Sequence, residues 1–147
     1  MQIQTRDMGS VEVALDRVLD FVRPVLGFEE FRRFALLPAP GAAPFHWLQS
    51  LEEPRLAFPV VSGEELRLTY RPWEDLLRAL RAPSAGRLRY WIIVALPAAG
   101  GQVRANLRAP VVVHPALRIA AQTVMREEYP VSYALDACRD RETCLVP

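Results

Sequence analysis

Two histidines, two cysteines and four doublets of adjacent glutamates are the residues of this chain whose chemistry could serve a reaction. A hydrolytic site needs a nucleophile, a base and an acid that orients the base. His46 stands between Phe45 and Trp47 in a strand pattern, His114 closes a valine-rich run before Pro115, and neither belongs to a motif that marks catalysis. The doublets Glu29-Glu30, Glu52-Glu53, Glu64-Glu65 and Glu127-Glu128 would point to opposite faces of a strand, so their members could not share a proton as an acid–base pair does. They read as solvated charges. Cys138 and Cys144, in a polar stretch with Asp136, Arg139, Asp140, Arg141 and Glu142, read as free thiols in a reducing compartment; a metal site would need more ligands close by. A phosphate loop places its glycines where a strand enters a helix, whereas Gly100-Gly101 separates two strand patterns. The reading is a protein with no catalytic residues, no metal and no cofactor.

Composition narrows the class. The chain has 147 residues, 51% of them hydrophobic and 24% charged, with a net charge of +1. That is the profile of one globular domain, large enough to hold a core without disulfides or metal. Every basic side chain other than the histidines is Arg, and there is no Lys, so Arg-rich segments reflect composition before function. Near-zero net charge argues against direct nucleic-acid binding, which calls for a basic face. The longest apolar stretch, Tyr90 to Ala99, falls short of the roughly 20 residues a bilayer helix requires, and the N-terminus lacks the apolar run of a signal peptide. The expectation is a cytoplasmic monomer without membrane contact.

The elements that would position any site are mostly strands. Gln2 to Arg6 and Val11 to Leu15 flank the turn cluster Asp7-Met8-Gly9-Ser10 and read as a hairpin. Asp16 to Phe21 reads as one helical turn with Asp16 as N-cap. Strands are expected at Arg33 to Leu37, Phe45 to Ser50, Leu56 to Val61, and Leu66 to Tyr70, where Leu66, Leu68 and Tyr70 alternate with Arg67 and Thr69. The near-continuous run Leu88 to Leu96 predicts a central strand buried on both faces. A helix is expected from about Pro72 to Arg81, with Pro at its first position, Glu74 and Asp75 at its positive end and a Leu76, Leu77, Leu80 stripe. Val103 to Leu107, Pro110 to His114 and Leu117 to Met125 complete the series. Short strands, frequent Pro and Gly breaks and no β-α-β rhythm predict an all-β, mainly antiparallel fold, a small barrel or sandwich with one or two short helices. The β domain is expected to span residues 1–135, followed by a polar tail at 136–147.

Several stretches, in order, resemble the FliW family of flagellar assembly factors. Pro24-Val25-Leu26-Gly27-Phe28-Glu29 is similar to the family's Gly-hydrophobic-Pro-Gly-Phe-Glu segment, and Pro44-Phe45-His46-Trp47-Leu48-Gln49-Ser50 to its Pro-Phe-hydrophobic-hydrophobic-Leu-Gln-Ser strand. Leu56 to Val61 resembles the strand that follows. Asn106-Leu107-Arg108-Ala109-Pro110-Val111-Val112-Val113 resembles the signature Asn-Leu-x-Ala-Pro-Ile-Val-Ile, and Gln122 to Tyr129 the Gln-hydrophobic strand with a Tyr further on. Departures stand at Pro24, where the family has Gly, at Ser62-Gly63, where it has Asp-Pro, and at Ala121, where it has Gly. The resemblance implies a non-enzymatic regulator that binds flagellin and the translational repressor CsrA, relieving repression of flagellin mRNA.

Each motif residue also has a structural reading. Gly27 suits a turn of positive φ, Asn106 the bonding of backbone at a strand crossing and Pro110 the protection of an edge. Candidate partner-binding residues are Gln49, Asn106, Arg108 and Gln122, polar positions within apolar strands, together with Phe28 as an exposed aromatic and Trp73 as a partly exposed anchor on the helix. The alternative from another class is a small-molecule-binding or enzymatic β-barrel, for which a deep pocket with convergent polar groups would speak. A third reading is a structural subunit acting through its own oligomer.

Overall fold

The computed structural model describes residues 1–97 and 101–135. Gly100, Cys138, Cys144 and the rest of the tail lie outside the described residues. Among the described residues eleven strands and one short α-helix follow one another: β1 (Gln2–Gln4), β2 (Ser10–Glu12), β3 (Val18–Arg23), β4 (Arg33–Pro38), β5 (His46–Ser50), β6 (Ala57–Ser62), α1 (Glu74–Ala79), β7 (Arg89–Ala95), β8 (Arg104–Ala105), β9 (Val111–His114), β10 (Ile119–Gln122) and β11 (Tyr133–Ala134).

Seven of these strands close a barrel in the order β7-β6-β5-β4-β3-β10-β9 and back to β7. All its pairs are antiparallel except β3 with β10, which run parallel with Ala120 beside Phe21. One edge of β7 pairs with β6; its other edge is shared, Arg89 to Trp91 pairing with β9 and Val94 to Ala95 with β8. Closure removes the free edges that an open sheet of this size would present.

Period-two alternation decides what lies inside. Leu19 and Phe21 of β3, Phe34 and Leu36 of β4, Leu48 of β5, Phe58 and Val60 of β6, Trp91 and Ile93 of β7, Val111 and Val113 of β9 and Ala120 of β10 form one cluster. The outward faces are covered by three further layers. The β1–β2 hairpin sets Ile3 and Val13 on Val18, Ala35 and Leu37. Leu76 and Leu80 of the helix pack on Val112 and Ala121. Leu66, Tyr70 and Met125 cover Val61, Ile92, Val94 and Ala105. The middle of β7 is thus packed on both faces, Ile92 and Val94 fully buried on one and Trp91 and Ile93 half-buried on the other, where its continuous apolar run predicts burial on both.

Several of the expected elements differ from the structure, among them the strand over Leu117 to Met125, which is confined to Ile119–Gln122. Asp16 to Phe21 is not a helical turn: a 3-10 turn spans only Leu15–Arg17, and Val18 onward is strand, held by pairing to β4 and β10. Leu66 to Tyr70 is not a strand. Backbone bonds from Arg67 N to Glu64 O and from Leu68 N to Gly63 O, with Arg67 at φ 54°, turn it over the barrel wall, so its alternation reports packing and not pairing. The helix is shorter than 72–81, because Trp73 is extended at ψ 169° and Arg81 adopts φ 53°. At the departure Ser62-Gly63, Gly63 N donates to Tyr90 O at 2.8 Å and a Cβ there would lie 3.1 Å from Tyr90 Cβ. This crossing uses both the N–H that proline lacks and the space that a side chain would fill. Gly27 has φ +88°, the turn conformation expected of it.

Candidate partner-binding surfaces

The Asn106 to Pro110 segment is the corner where the chain leaves β7's edge at β8 and returns to it as β9. Asn106 Oδ1 accepts the N–H groups of Arg108 and Ala109, each at 3.2 Å, folding the corner on itself. Asn106 N donates to Ile93 O, Leu107 N to Pro130 O, Met125 N to Arg108 O and Thr123 N to Pro110 O. The Tyr70 hydroxyl donates to Leu107 O at 2.6 Å, and Gln122 Nε2 to Ala109 O at 3.1 Å. The motif most specific in sequence is therefore a backbone knot that fixes the segment after β10.

That segment carries the neighbouring surface. Arg108 Nε donates to Tyr129 O at 2.8 Å. The Arg126 guanidinium lies 4.7 Å from the Trp73 ring centre, a cation–π contact. Beside them a groove of about 480 Å³ is lined by Arg67, Leu68, Thr69, Arg71, Glu127, Glu128 and Tyr129. Trp73 and Arg108 are thus held against residues 126–129, and Asn106 folds the corner that carries Arg108.

The other three candidates have different settings. Gln122 is buried, its Oε1 accepting Leu26 N at 2.7 Å while its amide donates to Ala109 O. Gln49 is also buried, accepting from Arg6 N at 2.9 Å and donating to Ser50 O, Pro54 O and Leu56 O at 3.0 to 3.2 Å. Both glutamines tie distant backbone segments together. Phe28 is half-buried and not the exposed aromatic expected; its ring meets Phe58 edge-on at 5.1 Å. Glu29, one residue on, closes the Gly27 turn by accepting Gly27 N at 3.0 Å, and that backbone bond holds its carboxyl below the usual range.

Three tyrosines back the corner, Tyr70 lying 5.0 Å from both Tyr90 and Tyr129, centre to centre. Burial pushes Tyr90 up to about 12, and burial, then Tyr129 and Tyr90, pushes Tyr70 well above the phenol range. The Tyr90 hydroxyl is buried with no hydrogen-bond partner among the described residues. Tyr70→Phe should cost about 1–2 kcal/mol by orphaning Leu107 O, whereas Tyr90→Phe should be neutral or slightly stabilising. Because folding favours the neutral phenols, stability is fully present below the ordinary phenol pKa of about 10 and is lost as pH rises through the folded values. Urea midpoints from about pH 8 to about pH 12 check this, and Tyr90→Phe should lessen the alkaline loss.

A second concavity went unrecognised in the sequence. The barrel is plugged at one end, where Phe21, Phe28, Phe31, Phe34, Leu56 and Phe58 gather. At the other end it opens as a pocket of about 380 Å³ with Leu19, Leu36, Trp91 and Val113 on its floor, half-buried Ser62 beside Trp91, and Asp16, Arg17, Glu64, Arg89 and Pro115 exposed at its rim. His46 packs edge-on against Trp91 at 4.7 Å, and His114 is buried with Nδ1 3.4 Å from Leu117 N. Strand alternation could have assigned the floor residues to one face, but strand order is needed to bring them to one mouth. Among the described residues no group of three or more His, Cys, Asp or Glu could hold a metal ion, and no helix is long and apolar enough to cross a membrane.

These features define a small closed β-barrel whose surface motifs are built from backbone ties. The solved crystal structure of a flagellar assembly factor FliW superposes with a TM-score of 0.82 over 92% of this chain and 96% of that one, at 23% identity, a likeness of fold. The FliW protein family model matches residues 2–135, and the chain belongs to the FliW family. A flagellar assembly factor FliW of Bdellovibrio bacteriovorus is 38% identical over 129 residues, covering 86% of this chain and 74% of that protein. One from Treponema denticola is 35% identical over 129 residues, covering 86% and 87%.

Proposed function

We propose that this chain is a cytoplasmic, non-enzymatic regulator of flagellar assembly that binds flagellin and a CsrA-type translational repressor in turn. The observation that carries the reading is family membership over residues 2–135, through motifs that here build the Asn106 corner and the Gln49 and Gln122 ties. Flagellin occupies the protein while it accumulates. Its export frees the protein to capture the repressor and release flagellin mRNA for translation. Two partners coupled through one protein in this way are linked reciprocally, each weakening the other's binding. In this reading Trp73 and Arg108 offer side chains to a partner, while Phe28, Gln49, Asn106 and Gln122 hold the loops that carry the surface.

Calorimetric titration with purified flagellin and the purified CsrA-type protein of the same genome should give saturable binding to each, and preloading with one should weaken the other. No heat with either at tens of micromolar would overturn the reading.

A further inference from the structure

The open barrel mouth has the anatomy of a protein interface. Its floor of Leu19, Leu36, Trp91 and Val113 is apolar, the one half-buried polar side chain of the lining, Ser62 beside Trp91, already accepts Glu64 N, and every charged lining residue, Asp16, Arg17, Glu64 and Arg89, is exposed at the rim. A small-molecule site places a few polar groups inside the pocket to fix its ligand; an apolar centre with a polar rim is how proteins recognise proteins. The apolar surface also continues past the pocket. Leu15 and Leu117 are 60% and 45% exposed. They flank the mouth beside Asp16 and Pro115, and Arg118 Nη1 joins their loops by donating to Leu15 O at 3.0 Å. A free metabolite seated on the floor would leave both leucines in water, whereas a polypeptide lying across the mouth covers them.

The rim charges specify the segment further. Arg89 is paired with Glu64 at 3.2 Å, and Asp16 and Arg17 have no ion-pair partner among the described residues. The rim therefore presents one open anion and one open cation side by side. Complementarity calls for a segment with both an acidic and a basic residue next to its apolar anchor.

We propose that the barrel mouth is a docking site for an amphipathic segment of a partner protein, which inserts one or two bulky apolar side chains against Trp91 and Leu36 and sets opposite charges against Asp16 and Arg17. The proposal rests on the reading of the chain as a protein-binding regulator and adds to the surface around Trp73 and Arg108 a second one, at the barrel mouth.

The test uses the full chain and two variants, Leu36→Arg on the floor and Leu117→Asp on the exposed rim, the second of which should melt as wild type does. A phage-displayed random 12-residue library is selected on the wild-type chain, and purified flagellin and the CsrA-type protein are titrated alongside. Selected peptides should share a bulky apolar residue flanked by an acidic and a basic one. They should compete with one of the two proteins, and Leu117→Asp should weaken both peptide and protein by about thirtyfold. Peptides lacking that pattern, or binding undiminished in a folded Leu117→Asp variant, would overturn the proposal. So would flagellin and repressor titrations unchanged by either variant, or an apolar dye filling the mouth where no peptide does. If neither purified protein binds the wild type, the regulator reading fails on its own, and the peptide selection still decides the mouth.

Discussion

Phe34→Ala is expected to lower stability by about 3–5 kcal/mol, the range for emptying a fully buried phenylalanine site. Phe34 is 0% exposed, and its ring stands 5.1 Å from Phe21 and 6.2 Å from Phe58, centre to centre. Its neighbours cannot collapse into the gap, because β4 is fixed on both sides by pairing to β3 and β5. Folded domains are stable by only about 5–15 kcal/mol, so the variant should unfold at a much lower urea concentration, with the melting temperature reduced by roughly 10 °C or more. A urea midpoint within error of wild type would mean that the plugged end is not the packed core described above.

Gln49→Ala is expected to cost about 2–4 kcal/mol, a large effect for a residue that the sequence presents as a candidate contact. One side-chain amide accepts from Arg6 N and donates to the carbonyls of Ser50, Pro54 and Leu56. Alanine removes these bonds, although Leu56 O still accepts Ser50 N, and opens a void beneath the N-terminal hairpin. The effect should show as an earlier urea transition and as faster hydrogen exchange at Arg6. A variant that keeps its stability yet loses flagellin or repressor binding would instead make Gln49 a direct contact.

The glutamines show where sequence reading stops. A polar residue inside an apolar strand stands out, and that signal offers Gln49 and Gln122 as partner contacts, whereas in the structure both are buried and bonded to backbone. What it cannot give is the partner: Gln122 bonds Leu26, 96 residues away, and Gln49 bonds Arg6, 43 residues away. Only the assembled barrel distinguishes an internal tie from an offered contact. Strands such as β4, β5 and β6 were legible because their apolar runs are bounded by Pro or Gly. The one clean alternation misled, at Leu66 to Tyr70, where Leu66 and Tyr70 reach a buried cluster from a turn. Asp16 read as a helix cap because local propensity favours it there, but β10, about a hundred residues on, supplies β3 with a second partner and tertiary pairing prevails. The mouth was illegible for a similar reason: Leu19, Leu36, Trp91 and Val113 are ordinary strand residues until the ring closes and sets them at its open end.

The parallel seam between β3 and β10 fixes the order in which the protein can be completed. As the chain emerges during synthesis, β3 to β7 can form a meander of neighbouring antiparallel strands, yet the other edge of β3 stays bare until residues 119–122 arrive. Such distant pairing makes folding slow and leaves an open strand available to other chains meanwhile. A nascent molecule is therefore most vulnerable just before its last strands appear, and truncations short of Gln122 should accumulate as aggregates even though most of the barrel's strands are already present.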